Sequence, residues 1–233
     1  MNSIYFDIET FGRKPDIWDF AVRKEDIKVP GQYKKQESIE QYIEEEYARR
    51  TNDIPKLFDE AWRKNALNIL KCEVICFGIK INNEKAFAIT GNNEYELLSE
   101  VQRVFSDFHY GSFMTFGWNT YEFDVPILNL LSSKYDLRLL NKILPKDRRG
   151  LFHVDLMRAM NPTVYNYYCK LNDACKFFDI QGKMEGMDGS MVHDLYINGE
   201  IEKIKEYCCQ DIDPLAIIKE KLMINEPVTA KMV

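Results

Sequence analysis

The pattern of hydrophobic and polar positions along the chain alternates between strand and helix signals. "SIYFDIE", Ser3 to Glu9, is rich in β-branched and aromatic residues and meets its first carboxylates only at its end, which predicts a buried strand. A polar, charge-rich stretch follows from Arg13 to about Lys71. Within it, "ESIEQYIEEEYARR" sets Ile39, Tyr42, Ile43 and Tyr47 near helical spacing, and "LFDEAWRKNALNIL" predicts a second helix. Pro30-Gly31 and the run from Asn52 to Pro55 supply the breaks between elements. "EVICFGIKI" predicts the next strand, and "AFAIT" pairs back on it across the turn "NNEK". "NEYELLSEVQRVFSDF" carries a helical apolar stripe in Leu97, Leu98, Val101, Val104, Phe105 and Phe108. "SFMTFGWN" predicts a strand, "DVPILNLLSSKY" a helix with Pro126 in its first turn, and "LFHVDLM" a short fifth strand. From about Thr163 the pattern is mainly helical. This order predicts an α/β fold with a mixed sheet: one domain over residues 1–233, with a mostly helical insertion over 13–71 after the first strand.

Composition narrows the class only slightly. A hydrophobic share of 45% in 233 residues supports a core that needs no disulfides. Lys and Arg number 31 against 37 Asp and Glu, a formal charge of −6. That balance does not advertise a nucleic-acid binder, although bound cations reverse the local field of a carboxylate cluster. No apolar run reaches the roughly 18 residues that span a membrane. "MNSIYFDIET" lacks a basic region followed by an apolar core, so no secretory signal is read there, and a cytoplasmic, intracellular protein is expected. The six cysteines form no CxxC pair and the three histidines give no zinc spacing, so reduced thiols are expected.

Three acidic motifs carry the chemistry. In Asp7-Ile8-Glu9, residues two apart on a strand point the same way, so both carboxylates face one side. Such a pair repels itself unless a hard cation neutralises it, and Mg²⁺ and Mn²⁺ prefer oxygen ligands. A solvated strand end explains the same residues. In "WNTYEFDVPIL", Asn119 ends a strand and Phe123-Asp124 open a helix, where N-capping and dipole compensation account for Asp124 and a turn accounts for Asn119. Tyr207-x-x-x-Asp211 sets two side chains one turn apart on a helix. They lie along one margin of an apolar stripe made by Ile201, Ile204, Cys208, Ile212 and Leu215, with Cys209 near the opposite margin.

Taken together, a carboxylate pair ending the first strand, Asn-xxx-Phe-Asp after a later strand and Tyr-xxx-Asp on a late helix resemble the DEDD, or DnaQ-like, exonuclease superfamily on the ribonuclease H-like fold. The tyrosine is similar to that of the DEDDy branch, which includes the proofreading domains of family A and B DNA polymerases. "LNDACKFFDIQGKMEGMDGSMVHDLYINGEIEKIKEYCCQDI" resembles the corresponding region of stand-alone bacterial and phage exonucleases related to the polymerase B exonuclease domain. "KVPGQYKKQESIEQYIEEEY" resembles the phage-type insertion.

The resemblance implies a three-layer ribonuclease H-like fold with a five-stranded mixed sheet. It implies a metal-dependent 3′–5′ exonuclease that releases nucleoside monophosphates from DNA, mainly single-stranded, with two divalent cations, Mg²⁺ or Mn²⁺. Asp7, Glu9 and Asp211 would hold the catalytic cation, Asp7 would also touch a second, and Asp124 would complete the cluster. Tyr207 would orient the attacking water. Thr10, Phe11, Gly12, Asn119, Phe123 and Lys183 are candidate contacts to the 3′ end, Phe123 by stacking. Lys134, Arg138, Lys142 and "PKDRRG" are candidates for a basic rim. Replication or recombination proteins are candidate partners, and no membrane is expected.

Other readings are an RNA exonuclease, a catalytically silent nucleic-acid-binding module of the same fold, and a zinc or redox protein built on Cys208 and Cys209. His153 and His193 lack the spacing of the family's histidine variant and are expected at the surface or partly buried. Asp155 and Asp188 are expected to be structural. Pro214 is expected to kink or restart the last helix.

Overall fold

The computed structural model describes residues 1–109, 111–145, 152–163, 168–182 and 188–224. The chain divides into two units, one formed by Met1–Phe11 with Glu73–Val233 and the other by Gly12–Cys72.

In the larger unit a five-stranded sheet runs in the order β3-β2-β1-β4-β5. Its strands are β1 (Asn2–Gly12), β2 (Cys72–Ile81), β3 (Phe87–Ile89), β4 (Phe113–Gly117) and β5 (His153–Asp155). β1 and β4 are parallel with Ser3 opposite Met114 and Tyr5 opposite Phe116, and β4 and β5 are parallel with Gly117 opposite Asp155. β3 folds back antiparallel on β2, Gly78 facing Ala88, as the hairpin pattern predicts. Asn82, just past β2 with φ of 51°, gives its N–H to Ser3 O at 2.7 Å. That bond sets the end of β2 beside the start of β1.

Strand alternation sorts β1 onto two faces. On one, Phe6 stacks on Phe77 at 5.6 Å, and Phe77 and Phe113 meet Phe105 of α2 (Glu94–Ser106). Leu97, Leu98, Val101 and Phe105 are the buried stripe of α2, and Asn93 caps it by accepting from Glu96 N. On the other face, Tyr5 stacks on Phe116 at 5.2 Å and shares a core with Leu156, Ile212, Leu215 and Ile218. The last three belong to α8 (Ile201–Lys221). Gly78 lets α8 approach: a Cβ there would sit 2.4 Å from Ile212 Cδ1 and 2.7 Å from Cys208 Sγ. At its far end, Lys219 Nζ bonds Ser3 Oγ at 2.8 Å and lies 4.8 Å over the Phe116 ring.

α3 (Asp124–Lys134), α4 (Arg138–Ile143), α5 (Leu156–Met160), α6 (Leu171–Phe177) and α7 (Val192–Ile197) complete the unit. α8 runs unbroken through Pro214, contrary to the expected kink or restart. Pro214 removes only the N–H that would meet the Gln210 carbonyl, and its ring is buried with Leu215 and Ala216, which offsets the loss.

In the smaller unit α1 spans Gln36–Asn65 without a break, where the sequence predicts two helices. Pro55 frees the carbonyl of Thr51, which is exposed and so reaches water. Side-chain pairs Gln36–Glu40, Arg49–Asp53, Arg50–Glu46 and Arg63–Asp59, each one turn apart, reinforce the helix on both sides of Pro55. Phe20, Phe58 and Trp62 make a small aromatic cluster under Lys14, and Trp62 Nε1 donates to Gly12 O at 2.7 Å. Trp18 is not part of it; it is 79% exposed.

Candidate active site

Asp7 and Glu9 lie on the face of β1 that α8 covers. Asp7 is half-buried, while Glu9, Asp124 and Asp211 are 9%, 4% and 8% exposed. The hydrophobic residues between and around them explain this placement. Ile8 is buried on the opposite face, and Ile204, Cys208 and Ile212 draw the Tyr207–Asp211 margin of α8 against the sheet.

Asp124 does not act as an N-cap; Phe123 occupies that position without a side-chain cap. Asp124 Oδ1 instead accepts the backbone N–H of Ile8 at 3.2 Å, between the two β1 carboxylates. Burial pushes its carboxyl up to about 7, opposed by the N–H groups of its own residue and Ile8 and assisted by the charge of Asp155.

The Tyr207 hydroxyl hydrogen-bonds to Asp211. Burial pushes its pKa well up, and Asp211, Glu9 and Asp7 push in the same direction. All three carboxylates therefore act on one phenol. A Cβ at Gly189 would lie 3.9 Å from that hydroxyl, so the turn after Asp188 passes beside it. Asp188 caps this turn by accepting from Ser190 N at 2.8 Å.

Cys208 is fully buried, as its place in the apolar stripe predicts, and its Sγ is also 3.9 Å from Asp7 Oδ2 and 3.7 Å from Asp7 O, a contact the stripe does not predict. A hydrogen bond with Cys76 pushes its thiol pKa well up, as do burial and the nearby Asp7 and Glu9. Among the described residues, the set of His, Cys, Asp or Glu donor atoms that lie within 4.8 Å of one another is Asp7, Glu9 and Cys208; Asp211 stands outside it. The available signal was the helical face: Cys208 shares it with Asp211, three residues on. All six cysteines are free.

The other candidates are dispersed. Asn119 has φ of 57° and gives its N–H to Asp155 Oδ1 at 3.1 Å. Asp155 also accepts from Tyr121 N, Met157 N and Arg158 N, so it holds the 119–121 loop and the start of α5 together. Burial raises its carboxyl pKa. Phe123 is half-buried, and Thr10 is buried. The Phe11 ring stacks on His193 at 4.9 Å and packs on Tyr196 at 4.6 Å, so it serves the core. Gly12 packs on α1, where a Cβ would meet Trp62 O at 2.1 Å. Lys183, residues 146–150 and the Lys142 side chain lie outside the described residues. Lys134 is engaged with Glu94 Oε2 at 3.4 Å and with Tyr135, and Arg138 faces Asp136 at 3.5 Å; both cations are locally balanced. His153 and His193 are buried rather than superficial. His153 sits between the hydroxyls of Thr115 and Thr120, each 2.8 Å from a ring nitrogen.

Residues 75–214 match the family described as a predicted 3′–5′ exonuclease related to the exonuclease domain of PolB. The chain belongs to this family. Membership in the PolB-related exonucleases makes the chain a nucleic-acid-binding hydrolase of the 3′–5′ exonuclease class, and domains of this kind usually use divalent metals. The matched span contains Asp124, Tyr207 and Asp211 and begins after Asp7 and Glu9. Those two join the site through the sheet.

The fold is similar, over 96% of this chain, to the family B DNA polymerase of the hyperthermophilic archaeon Pyrobaculum calidifontis, with a TM-score of 0.53 and 13% identity. The chain spans 24% of that polymerase's length. This likeness and the mixed five-stranded sheet give an α/β ribonuclease H-like fold. No curated protein matches the chain in sequence. Among the described residues no helix is long and apolar enough to cross a membrane.

Proposed function

We propose that the chain is a DEDDy-type 3′–5′ exodeoxyribonuclease of bacterial or phage type, removing nucleoside monophosphates from the 3′ end of mainly single-stranded DNA. The observation that carries this reading is the convergence on Tyr207 of Asp211, Glu9 and Asp7, with Asp124 bound to the backbone between the last two. Three largely buried carboxylates beside a fourth are costly without compensating positive charge. Their oxygens suit Mg²⁺ or Mn²⁺. Asp7, Glu9 and Asp211 would hold one cation, with Asp7 and Asp124 toward a second. Bound there, the cations would activate water and stabilise the leaving 3′ oxygen.

The remaining work falls to the chain's own groups. Burial and the three carboxylates oppose the Tyr207 phenolate, and a phenol with a reference pKa near 10 is a poor base at neutral pH. Tyr207 is therefore a hydrogen-bond donor that orients the attacking water, not a base. Asp211 fixes the phenol by accepting from it. The Ile8 N–H holds Asp124 toward β1, and Asp155 holds the loop that carries Asn119, where the terminal nucleotide would be met. The backbone at Thr10 and the ring of Phe123 are the other proposed contacts.

A 5′-labelled oligonucleotide should shorten stepwise in Mg²⁺ or Mn²⁺ and stay intact in EDTA, and Asp7→Ala or Asp211→Ala should abolish shortening. Matched DNA and RNA substrates test the sugar preference. No shortening of either by the unmodified chain overturns the proposal; faster RNA digestion overturns the DNA assignment alone.

A further inference from the structure

Hard cations prefer oxygen donors, yet a sulfur borders this carboxylate pair. Asp7, Glu9 and Cys208 each offer a donor atom within 4.8 Å of the others. The Cys208 Sγ to Asp7 Oδ2 distance is 3.9 Å. A tetrahedral ion with bonds of about 2.3 Å to sulfur and about 2.1 Å to oxygen holds the two donors about 3.6 Å apart. Only a few tenths of an ångström of closure, on the order of 0.3 Å, separate the pair from that geometry. The thiol does not stand alone. Cys76 on β2 neighbours it, and both sulfurs are fully buried, but Cys76 stands outside the set of mutually close donor atoms.

Resting on the reading of Asp7 and Glu9 as cation ligands, we propose that Cys208 gives this site a second metal preference: a thiophilic divalent cation, Zn²⁺ or Cd²⁺, binds through the two carboxylates and the Cys208 sulfur and competes with Mg²⁺ and Mn²⁺. Sulfur adds affinity for soft ions and almost none for hard ones. Cys208 binds as the thiolate and its proton passes to water. A soft ion held this way takes the Asp7 and Glu9 oxygens from the hard ion, so the site is blocked by occupancy and not by unfolding.

The test is a Cd²⁺ titration of the full chain in a Cys169→Ser, Cys209→Ser background, which removes the two half-buried thiols. It follows the ultraviolet thiolate-to-cadmium charge-transfer band, with Mn²⁺ binding followed in parallel by electron paramagnetic resonance. The expected result is a band that saturates at one Cd²⁺ per chain, with Cd²⁺ displacing bound Mn²⁺. Cys208→Ala and Cys208→Ser should each lose the band, both being checked for native thermal unfolding. Asp7→Asn should weaken Cd²⁺ binding at least about 100-fold, since even outer-shell changes cost about 10–100-fold.

A band that survives both Cys208 variants, no band in the parent, or Cd²⁺ affinity unchanged in Asp7→Asn overturns the inference. In the last case the Cys76–Cys208 pair alone would be the ligand. Mn²⁺ binding lost in Asp7→Asn but without any Cd²⁺ band rejects the role of Cys208 and leaves the carboxylate reading standing. Failure of the parent to bind Mn²⁺ rejects both.

Discussion

His153 offers a quantitative test of the core beneath the site. Burial lowers its pKa from 6.5 to about 3, and the neutral ring is matched to Thr115 and Thr120 at 2.8 Å on either side. Between those two pH values the unfolded chain takes up a proton that the native chain refuses. Stability contributed by His153 is therefore full above pH 6.5 and is lost as pH falls toward 3. At about 1.4 kcal/mol per pH unit, descent from pH 6.5 to 5 costs about 2 kcal/mol. For a domain of this size that corresponds to roughly 4–8 °C in Tm.

Asp124 acts in the opposite sense in metal-free protein. Its carboxyl is pushed up to about 7, so the native chain holds a proton that the unfolded chain, at 3.8, does not, and stability rises as pH falls through that window. The diagnostic quantity is thus the difference between wild type and His153→Gln, which cancels Asp124. Both should be melted in EDTA at pH 7.5 and pH 5. The wild-type advantage should shrink by about 2 kcal/mol at the lower pH. A gap that stays constant within about 0.5 kcal/mol would refute a neutral, buried His153.

Other consequences are equally direct. Gly78→Ala puts a Cβ 2.4 Å from Ile212 Cδ1 and should destabilise the chain by about 1–3 kcal/mol in urea titration. It should also slow digestion, because α8 carries Tyr207 and Asp211. Tyr207→Phe should lower the digestion rate about 10²-fold while Mn²⁺ binding remains, since the lost group is a donor and not a ligand. Saturating Mg²⁺ at about 100 times its Kd should raise stability by about 2.7 kcal/mol over the EDTA-treated chain, read as a shift in Tm, and Asp7→Asn should erase that gain.

The parts of the fold that follow from local periodicity were readable. The strand rule put Asp7 and Glu9 on one face, and the helix rule put Tyr207 beside Asp211; both hold. The hairpin and the α2 stripe follow from the same rules. Pro55 and Pro214 misled because their cost is local, a single hydrogen bond each, and is offset by side-chain pairs around one and ring burial at the other. His153 could not be read as buried because its partners, Thr115 and Thr120, lie 38 and 33 residues away. The contact of Cys208 with Asp7 spans 201 residues, and no spacing rule reaches that far. Asp155 was readable as structural, but its four N–H partners were not, because they require the strand end, the loop and the helix start to be assembled first.

The tether between Lys219 and Ser3 makes the site length-locked. Cys208 meets Asp7, and Lys219, eleven residues on, meets Ser3, four residues back along β1. At about 1.5 Å per helical residue and about 3.3 Å per strand residue those spans are about 16 and 13 Å. Helix and strand therefore run side by side in opposite directions, joined at two points like a ruler and its vernier. A one-residue insertion or deletion between the two joints, in either element, would slide the acidic margin of α8 off the β1 carboxylates or turn it away. Apart from Asp7, Cys208 and Asp211, substitutions along this stretch need only preserve packing, whereas its residue count is fixed.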